Sequence, residues 1–182
     1  MNFLPVNFEV PSKSSQFMKL EQGQNKFRIL SNLVEGYVIF TEDNKPKRKH
    51  IKRIDGKIPK ECIFSKDELQ EIKARKKKDT DVFEDPKYFW LFLVYNHNKQ
   101  VFQVLEIVQK SVIADMTEYL NQEDWADPFT YDFIVTKKGE GLNTEYSVST
   151  SLPKQLPDEV IDTLSSLEYN LEAVFEGNYP FD

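Results

Sequence analysis

The chain has 182 residues, of which 40% are hydrophobic and 13% aromatic, and its formal net charge is −6. This suits one packed domain, or one domain with appendages. No apolar run is long enough to cross a membrane, and the start "MNFLPVNFEVPSKSS" lacks the pattern of a secretory signal. One cysteine, Cys62, excludes an internal disulfide and a cysteine-rich zinc site. We expect a cytoplasmic protein.

The charge is distributed unevenly. Residues 1–110 hold 21 Lys/Arg and 15 Asp/Glu, whereas residues 111–182 hold 3 Lys/Arg and 15 Asp/Glu. A basic first part with an acidic end suggests a polyanion site together with a tail that mimics a polyanion. The alternative is a chance clustering of solvated charge.

Two strands are predicted near the start, after an N-terminal arm of residues 1–22. Residues 25–30 alternate, so that Phe27 and Ile29 point one way while Lys26 and Arg28 form a basic outer face. Residues 36–41 follow a short connection and are predicted as the hairpin partner of that strand.

A basic insertion is predicted over residues 43–85, partly mobile. Its first part, residues 44–60, carries eight Lys/Arg against one Asp. Residues 65–78 favour a helix, because Ser65 and Glu68 have the spacing of a capping box.

The remaining elements alternate between strand pairs and helices. Strands are predicted at 87–95 and 99–108, then a helix over 110–125 capped by Ser111, then strands at 130–136 and 144–150. A final helix over 157–177 begins at Pro157. This order predicts a mainly β protein: an OB-fold-like antiparallel barrel with a basic insertion, one internal helix and a C-terminal helix. The predicted domains are the arm 1–22, the barrel 23–153, and an acidic C-terminal helix and tail, 154–182.

The hairpin "KYFWLFLVYNHNKQVFQVLEIV" is rich in aromatic residues. A two-residue turn at His97-Asn98 sets Asn96 opposite Lys99 and Phe92 opposite Gln103. It puts Leu91 and Leu93 on an apolar core face and leaves Trp90 and Phe92 on a face that can stack nucleic-acid bases. A three-residue turn would instead pair Phe92 with Phe102. The alternative for both rings is packing beneath the helix at 111–120.

Several phrases resemble single-stranded DNA-binding proteins of tailed phages. They are "GQNKFRIL", "FWLFLVYN", "VLEIVQKSV" and "DWADPFTYDFIVTKKGEGLNTEYSV", and the likeness spans about residues 22–153. The resemblance implies an OB-fold that coats single-stranded DNA, without sequence specificity, in phage replication, recombination and repair. Some phage relatives carry a zinc-binding insertion. Here that region offers only His50 and Cys62, and two ligands do not close a tetrahedral site, so we predict no metal or other cofactor.

The predicted interface combines cations for phosphates with rings for bases. The phosphate contacts are Lys26, Arg28, Lys45, Lys47, Arg48, Lys49, Lys52 and Arg53, and the stacking rings are Tyr37, Trp90 and Phe92. The chain end, Tyr179, Pro180, Phe181 and Asp182, is predicted either to dock on a replication or recombination protein or to fold back over the DNA groove. In the second case, removal of the tail strengthens DNA binding.

Two other functions are compatible with the sequence. The first is a non-enzymatic adaptor whose basic insertion and acidic tail meet protein partners. The second is a Mg²⁺-dependent nuclease, using carboxylates around the 130–150 strand pair. Those carboxylates are Asp124, Asp127, Asp132, Glu140 and Glu145. We favour a solvated rim there, with Asp127 capping the loop at Pro128.

Overall fold

The computed structural model describes residues 16–181, and antiparallel β-strands dominate it. The strands are β1 (Gly23–Ile29), β2 (Val34–Phe40), β3 (Pro46–His50), β4 (Lys87–Asn96), β5 (Val101–Ile107), β6 (Phe133–Lys138) and β7 (Glu145–Thr150). The α-helices are α1 (Lys66–Glu71), α2 (Lys110–Leu120) and α3 (Asp158–Ser166), and a 3-10 helix spans Leu171–Glu176. The mainly β, OB-fold-like class with an internal and a C-terminal helix is confirmed.

All seven strands belong to one sheet, which does not close into a barrel within residues 16–181. The order is β3-β2-β4-β1-β6-β7, and β5 pairs with the other edge of β4. The first half of β4 pairs with β2 and the second half with β1, along the same edge. Two wings therefore extend from this edge of β4, β2–β3 along its first half and β1–β6–β7 along its second half.

The predicted hairpin between the first two strands is wrong, because the chain does not reverse between them. Residues 30–33 continue alongside β4, where the Leu30 N–H donates to the Leu93 carbonyl over 2.9 Å. The Ser31 hydroxyl accepts from the Leu93 N–H, also over 2.9 Å. β1 and β2 thus form one interrupted strand antiparallel to β4.

The β4–β5 hairpin has a four-residue loop rather than the predicted two-residue turn. Asn96 is opposite Val101, and Phe92 is opposite Leu105 instead of Gln103. The loop is held by the Asn96 side-chain oxygen, which accepts from the N–H groups of Asn98 and Lys99. Because this register differs by two residues from the predicted one, every side chain keeps its predicted face.

The sheet is covered on both faces over β4. On one face, Trp90, Phe92 and Val94 pack with Val112 and Met116 of α2. On the opposite face, Leu171 and Val174 of the C-terminal segment pack against buried residues of the strands. These strand residues are Val38, Phe89, Leu91, Leu93 and Val104. The end of the region predicted as the acidic C-terminal helix therefore forms part of the core.

Both predicted helix boundaries outside the insertion need correction. α2 begins at Lys110 as predicted, but Gln109 is its N-cap, so Ser111 lies inside the helix, and the helix ends at Leu120 instead of residue 125. The final helix is not continuous: α3 ends at Ser166, Leu167 is extended, and Asn170 caps a separate 3-10 helix. This break turns Leu171 and Val174 toward the sheet.

The basic insertion has a small core of its own. Leu69 and Ala74 pack with Ile39 of β2. The predicted capping box is confirmed, since Ser65 and Glu68 exchange both hydrogen bonds, but α1 ends at Glu71 instead of running to Lys78. Part of the insertion, β3, pairs with β2 and extends the sheet.

Gly36 in β2 allows close packing against Phe89. A Cβ atom at this position would lie 2.5 Å from the Phe89 ring and 2.9 Å from the Lys49 carbonyl oxygen. Phe89 is fully buried in the core, so its ring has no free space to move into.

We expect Gly36→Ala to lower the free energy of unfolding by about 1–3 kcal/mol, because overpacking a buried site strains its neighbours. Urea denaturation measures this loss, with the exposed Ser111→Ala in α2 as a control that stays close to wild type. In the double variant Gly36→Ala/Phe89→Leu the smaller side chain relieves the clash, so the two losses are less than additive. Full additivity would mean that the Phe89 ring does not impose the requirement for glycine.

Candidate nucleic-acid interface

One face of the β2–β3 wing carries tyrosines and lysines side by side. Tyr37 is directly opposite Lys49 on β3 and Tyr88 on β4, and Ile39 is opposite Lys47. Directly opposed residues of antiparallel strands share a face, so these side chains lie together. The two tyrosine rings are half-buried and meet edge to face, with centroids 6.1 Å apart.

The insertion adds a third ring and fixes one of the lysines. The Lys49 ammonium is 5.8 Å from the centre of the Phe64 ring and donates to the Ile63 carbonyl over 3.1 Å. It also donates to both carboxylate oxygens of Glu68, each at 2.7 Å. The capping box of α1 therefore holds the carboxylate that orients Lys49.

A chain of hydrogen bonds runs from the core to this face. The Trp90 indole N–H donates to the Tyr88 hydroxyl over 2.8 Å, and that hydroxyl donates to Glu35. Arg53 donates to the same carboxylate from two nitrogens, at 2.7 and 2.9 Å. Burial alone would raise the pKa of Glu35, but the hydrogen bonds from Arg53 and Tyr88 outweigh it and hold the pKa below its usual value.

We call this site the Tyr37 surface. Its members are Tyr37, Lys47, Lys49, Arg53, Phe64 and Tyr88. Lys47 is exposed and has no ion pair among residues 16–181, and the exposed Lys45 and Lys52 share this property. The surface thus combines half-buried rings with cations, and rings with cations are the combination by which proteins bind single-stranded nucleic acid.

The other predicted cations lie elsewhere or are neutralised. Arg48 projects from the opposite face of β3 and is paired with Glu106. Lys26 lies on β1, with its ammonium 3.9 Å from Asp132. The predicted phosphate contacts are therefore spread over several regions.

Arg28 is not on an outer face, contrary to the prediction. Its side chain is buried and donates to Asp132 over 2.8 Å, to the Lys154 carbonyl over 2.7 Å and to the Phe129 carbonyl over 3.1 Å. The alternation of β1 is real, but residues 129–154 cover its polar side. Arg28 consequently stabilises the fold.

Trp90 and Phe92 likewise have no face open to a base in this structure. They are 7% and 3% exposed and lie beneath α2, in edge-to-face contact with each other at 6.0 Å. This is the packing alternative stated above, and we assign both rings to the core. Tyr37 and Tyr88 are the half-buried rings of the same sheet face, and they lie at the end of that face that α2 does not cover.

Sequence reasoning missed Tyr88 and Phe64 as members of the site. Tyr88 alternates with Trp90 along β4, so the alternation placed it on the same face, but only tertiary packing decides which ring of the series α2 covers. Phe64 has no periodic signal, because it lies in an irregular segment before α1.

The chain end is folded against the body of the protein. The Phe181 N–H donates to the Gln16 side chain over 3.1 Å, and Gln16 donates back to the Phe181 carbonyl over 3.2 Å. Pro180 is buried, Tyr179 is 45% exposed, and Asp182 lies outside the described residues.

The residues considered for metal binding do not form a metal-ligand cluster. Within residues 16–181, no group of three or more His, Cys, Asp or Glu side chains is arranged to hold a metal ion. His50 stacks on Phe175 with ring centroids 4.5 Å apart, and Cys62 is half-buried. Asp127 caps the loop at Pro128 as predicted, accepting from the Phe129 N–H.

Comparison with known proteins finds a relative in Escherichia phage T5, named "Probable ssDNA-binding protein". The identity is 24% over 167 residues, covering 83% of this chain and 61% of the phage protein. The chain thus matches less than two thirds of the relative's length. No family model matches the chain, and no solved structure matches it. In the described part of the chain, no helix is both long and apolar enough to span a membrane.

Asp132 provides a test of the buried ion cluster, because it accepts from Arg28 and lies 2.8 Å from the His97 ring nitrogen. Burial alone would raise its pKa, but hydrogen bonds from His97 and Arg28 outweigh burial and lower it. We expect Asp132→Asn to cost about 3–5 kcal/mol at neutral pH, since it leaves a buried guanidinium without its counter-charge. Urea denaturation measures the loss, with the exposed Asp124→Asn as control.

The pH dependence of stability gives a second readout of the same cluster. A carboxyl group with a lowered folded-state pKa stabilises the protein fully above its unfolded pKa of about 3.9, and this contribution is lost as the pH falls through the folded value. The wild type should therefore lose more stability than Asp132→Asn as the pH is lowered below about 4. Parallel acid limbs for the two proteins would contradict the assignment.

Proposed function

We propose that the chain binds and coats single-stranded DNA without sequence preference, and that it is not an enzyme. Its proposed roles are phage DNA replication, recombination and repair in the host-cell cytoplasm. The observation that carries the proposal is the Tyr37 surface, where half-buried rings lie among cations at the end of the sheet face that α2 does not cover. The likeness to the phage T5 protein supports the same partner.

The division of labour on the Tyr37 surface follows from its chemistry. Tyr37 and Tyr88 present ring faces and edges on which bases stack, and stacking tolerates every base because each has a π face. Lys47 on β3, together with Lys45 just before the strand and Lys52 just after it, attracts phosphates and releases the counterions bound to them.

Lys49 and Arg53 act differently from these free lysines. Each is held by a carboxylate, Glu68 or Glu35, so a phosphate that contacts it competes with an existing ion pair. We therefore assign most of the salt-dependent affinity to Lys45, Lys47 and Lys52, and a positioning role to Lys49 and Arg53.

The chain end remains a proposed contact for a replication or recombination protein. Tyr179 and Asp182 are the residues we propose for that contact, since Pro180 and Phe181 pack inward. The remainder of the acidic C-terminal segment is held by Leu171 and Val174, which makes it a structural layer.

The proposal is tested by titrating fluorescently labelled oligo-dT and monitoring its anisotropy at two salt concentrations. We expect affinity to fall steeply with salt, and duplex DNA of equal length to bind more weakly. Lys47→Gln should weaken binding to all sequences alike and reduce the slope of log K against log salt by about 0.7. The matched control is Lys110→Gln, an exposed lysine on α2. Salt-independent binding, or duplex bound as tightly as single strand, would contradict the proposal and favour the protein adaptor.

The stacking role is tested separately at Tyr37. Tyr37→Ala should cost about 1–3 kcal/mol of binding free energy, whereas Tyr37→Phe keeps the ring and should bind nearly as wild type. Phe129→Ala removes a more exposed ring away from the site and should have no effect. Equal losses for Tyr37→Ala and Phe129→Ala would show that the Tyr37 ring does not contact bases.

A further inference from the structure

β7 is the last strand of its wing and has an open edge. One edge pairs with β6 along its whole length, from Glu145 opposite Lys138 to Thr150 opposite Phe133. Among residues 16–181, no backbone group outside β6 forms a hydrogen bond with β7. The extended path continues past its end, since the Ser151 N–H donates to the Asp132 carbonyl over 2.9 Å.

The two ends of the sheet are protected very differently. β3, at the other end, has the sequence "PKRKH", in which a proline and positive charges discourage pairing with another strand. β7, with the sequence "EYSVST", has no proline, lysine or arginine. Tyr146 and Val148 pack on the α2 side, and Ser147 and Ser149 are exposed on the other. An unguarded edge of this kind is a template for a further strand.

The residues that flank β7 are also unusual. Leu142 is fully exposed and Leu152 is 79% exposed, more than any other large hydrophobic residue among those described. Glu140 and Glu145 accompany Leu142 at one end, and Lys154 follows Leu152 at the other. Each end of the edge thus offers one leucine. Within β7 and its two flanks the carboxylates lie at one end and the ammonium of Lys154 at the other, while Lys137 and Lys138 of β6 lie beside the carboxylate end.

We propose that a second copy of this chain docks on β7 by antiparallel β7–β7 pairing about a two-fold axis, which joins the two sheets into one. Val148 then lies opposite Val148 of the second copy, Ser147 opposite Ser149, and Tyr146 opposite Thr150. This register keeps Tyr146, Val148 and Thr150 of both copies on the α2 side, which a shift by one residue would not do.

The same register also determines which residues that flank β7 come together in the two copies. Leu142 and Lys154 are equally far from Val148 in the sequence, on opposite sides of it. The Leu142 end of one copy therefore meets the Leu152–Lys154 end of the other. The exposed Leu142 of one copy and Leu152 of the other thus come to the same end of the joined edge, where Lys154 of one copy approaches the carboxylate end of the second. Self-complementarity of this kind is what a two-fold interface demands. The interface is separate from the Tyr37 surface and does not depend on the proposed DNA binding.

The oligomeric state of the full chain tests the proposal by sedimentation velocity over a wide range of protein concentration. We expect a monomer–dimer equilibrium. Ser147→Lys/Ser149→Lys sets like charges opposite each other twice across the two-fold axis and should abolish the dimer. Ser147→Glu/Ser149→Lys alters the same positions but sets opposite charges together, so its dimer should persist. Both variants change exposed side chains only and should retain the wild-type thermal melt.

Disulfide trapping tests the register. In a Cys62→Ser background, an oxidised mixture of Ser147→Cys and Ser149→Cys proteins should give a cross-linked dimer, because directly opposed Cα atoms lie within disulfide range. Either protein alone should give none. A monomer at every concentration would overturn the proposal. The proposal would also be overturned if the double-lysine variant still formed a dimer. It would be overturned likewise if both double variants abolished the dimer to the same extent.

Discussion

β4 is buried on both faces, and the positions of the other elements follow from the need to cover them. Phe89, Leu91 and Leu93 are fully buried on one face, each contributing about 1.5–3 kcal/mol relative to exposure. Since neither face of β4 can meet water, α2 must lie on one and the C-terminal segment on the other. The acidic charge of that segment therefore projects from a structural layer that cannot leave without exposing the core. The Tyr37 surface lies beyond the reach of α2, on the β2–β3 wing.

Local signals in the sequence were sufficient for most elements but not for their partners. The strands, the internal helix and the capping box at Ser65 follow from alternation, helical spacing and cap chemistry, which act over a few residues. The pairing of β2 with β4 instead of β1 depends on how residues 30–33 pack, and no local pattern encodes this. For the candidate site, Tyr37 and Lys47 could be predicted from the sequence. The burial of Arg28, Trp90 and Phe92 could not, because a strand face looks the same in sequence whether solvent or another element lies above it.

The high density of basic residues in the insertion does not translate into an equal density of available charge. Glu35, Glu68, Glu84 and Asp81 are paired with Arg53, Lys49, Arg75 and Lys76. Exposed pairs of this kind contribute little to stability, about 0–1 kcal/mol each. Their larger effect is to fix the directions of long side chains and to lower the local positive potential. Counting lysines and arginines in the sequence overestimates the cationic surface for this reason.

The hydrogen bond between Trp90 and Tyr88 gives the protein a built-in optical probe. The indole ring is shielded from water, yet its one polar atom is joined to a hydroxyl at the surface. A molecule that binds Tyr88 or Glu35 alters the hydrogen bond to the indole N–H and so changes the polarity around the indole, without contacting the indole ring. The emission maximum of Trp90, read with Trp125 replaced, would therefore report events on the open face of the sheet from inside the core, without any attached dye.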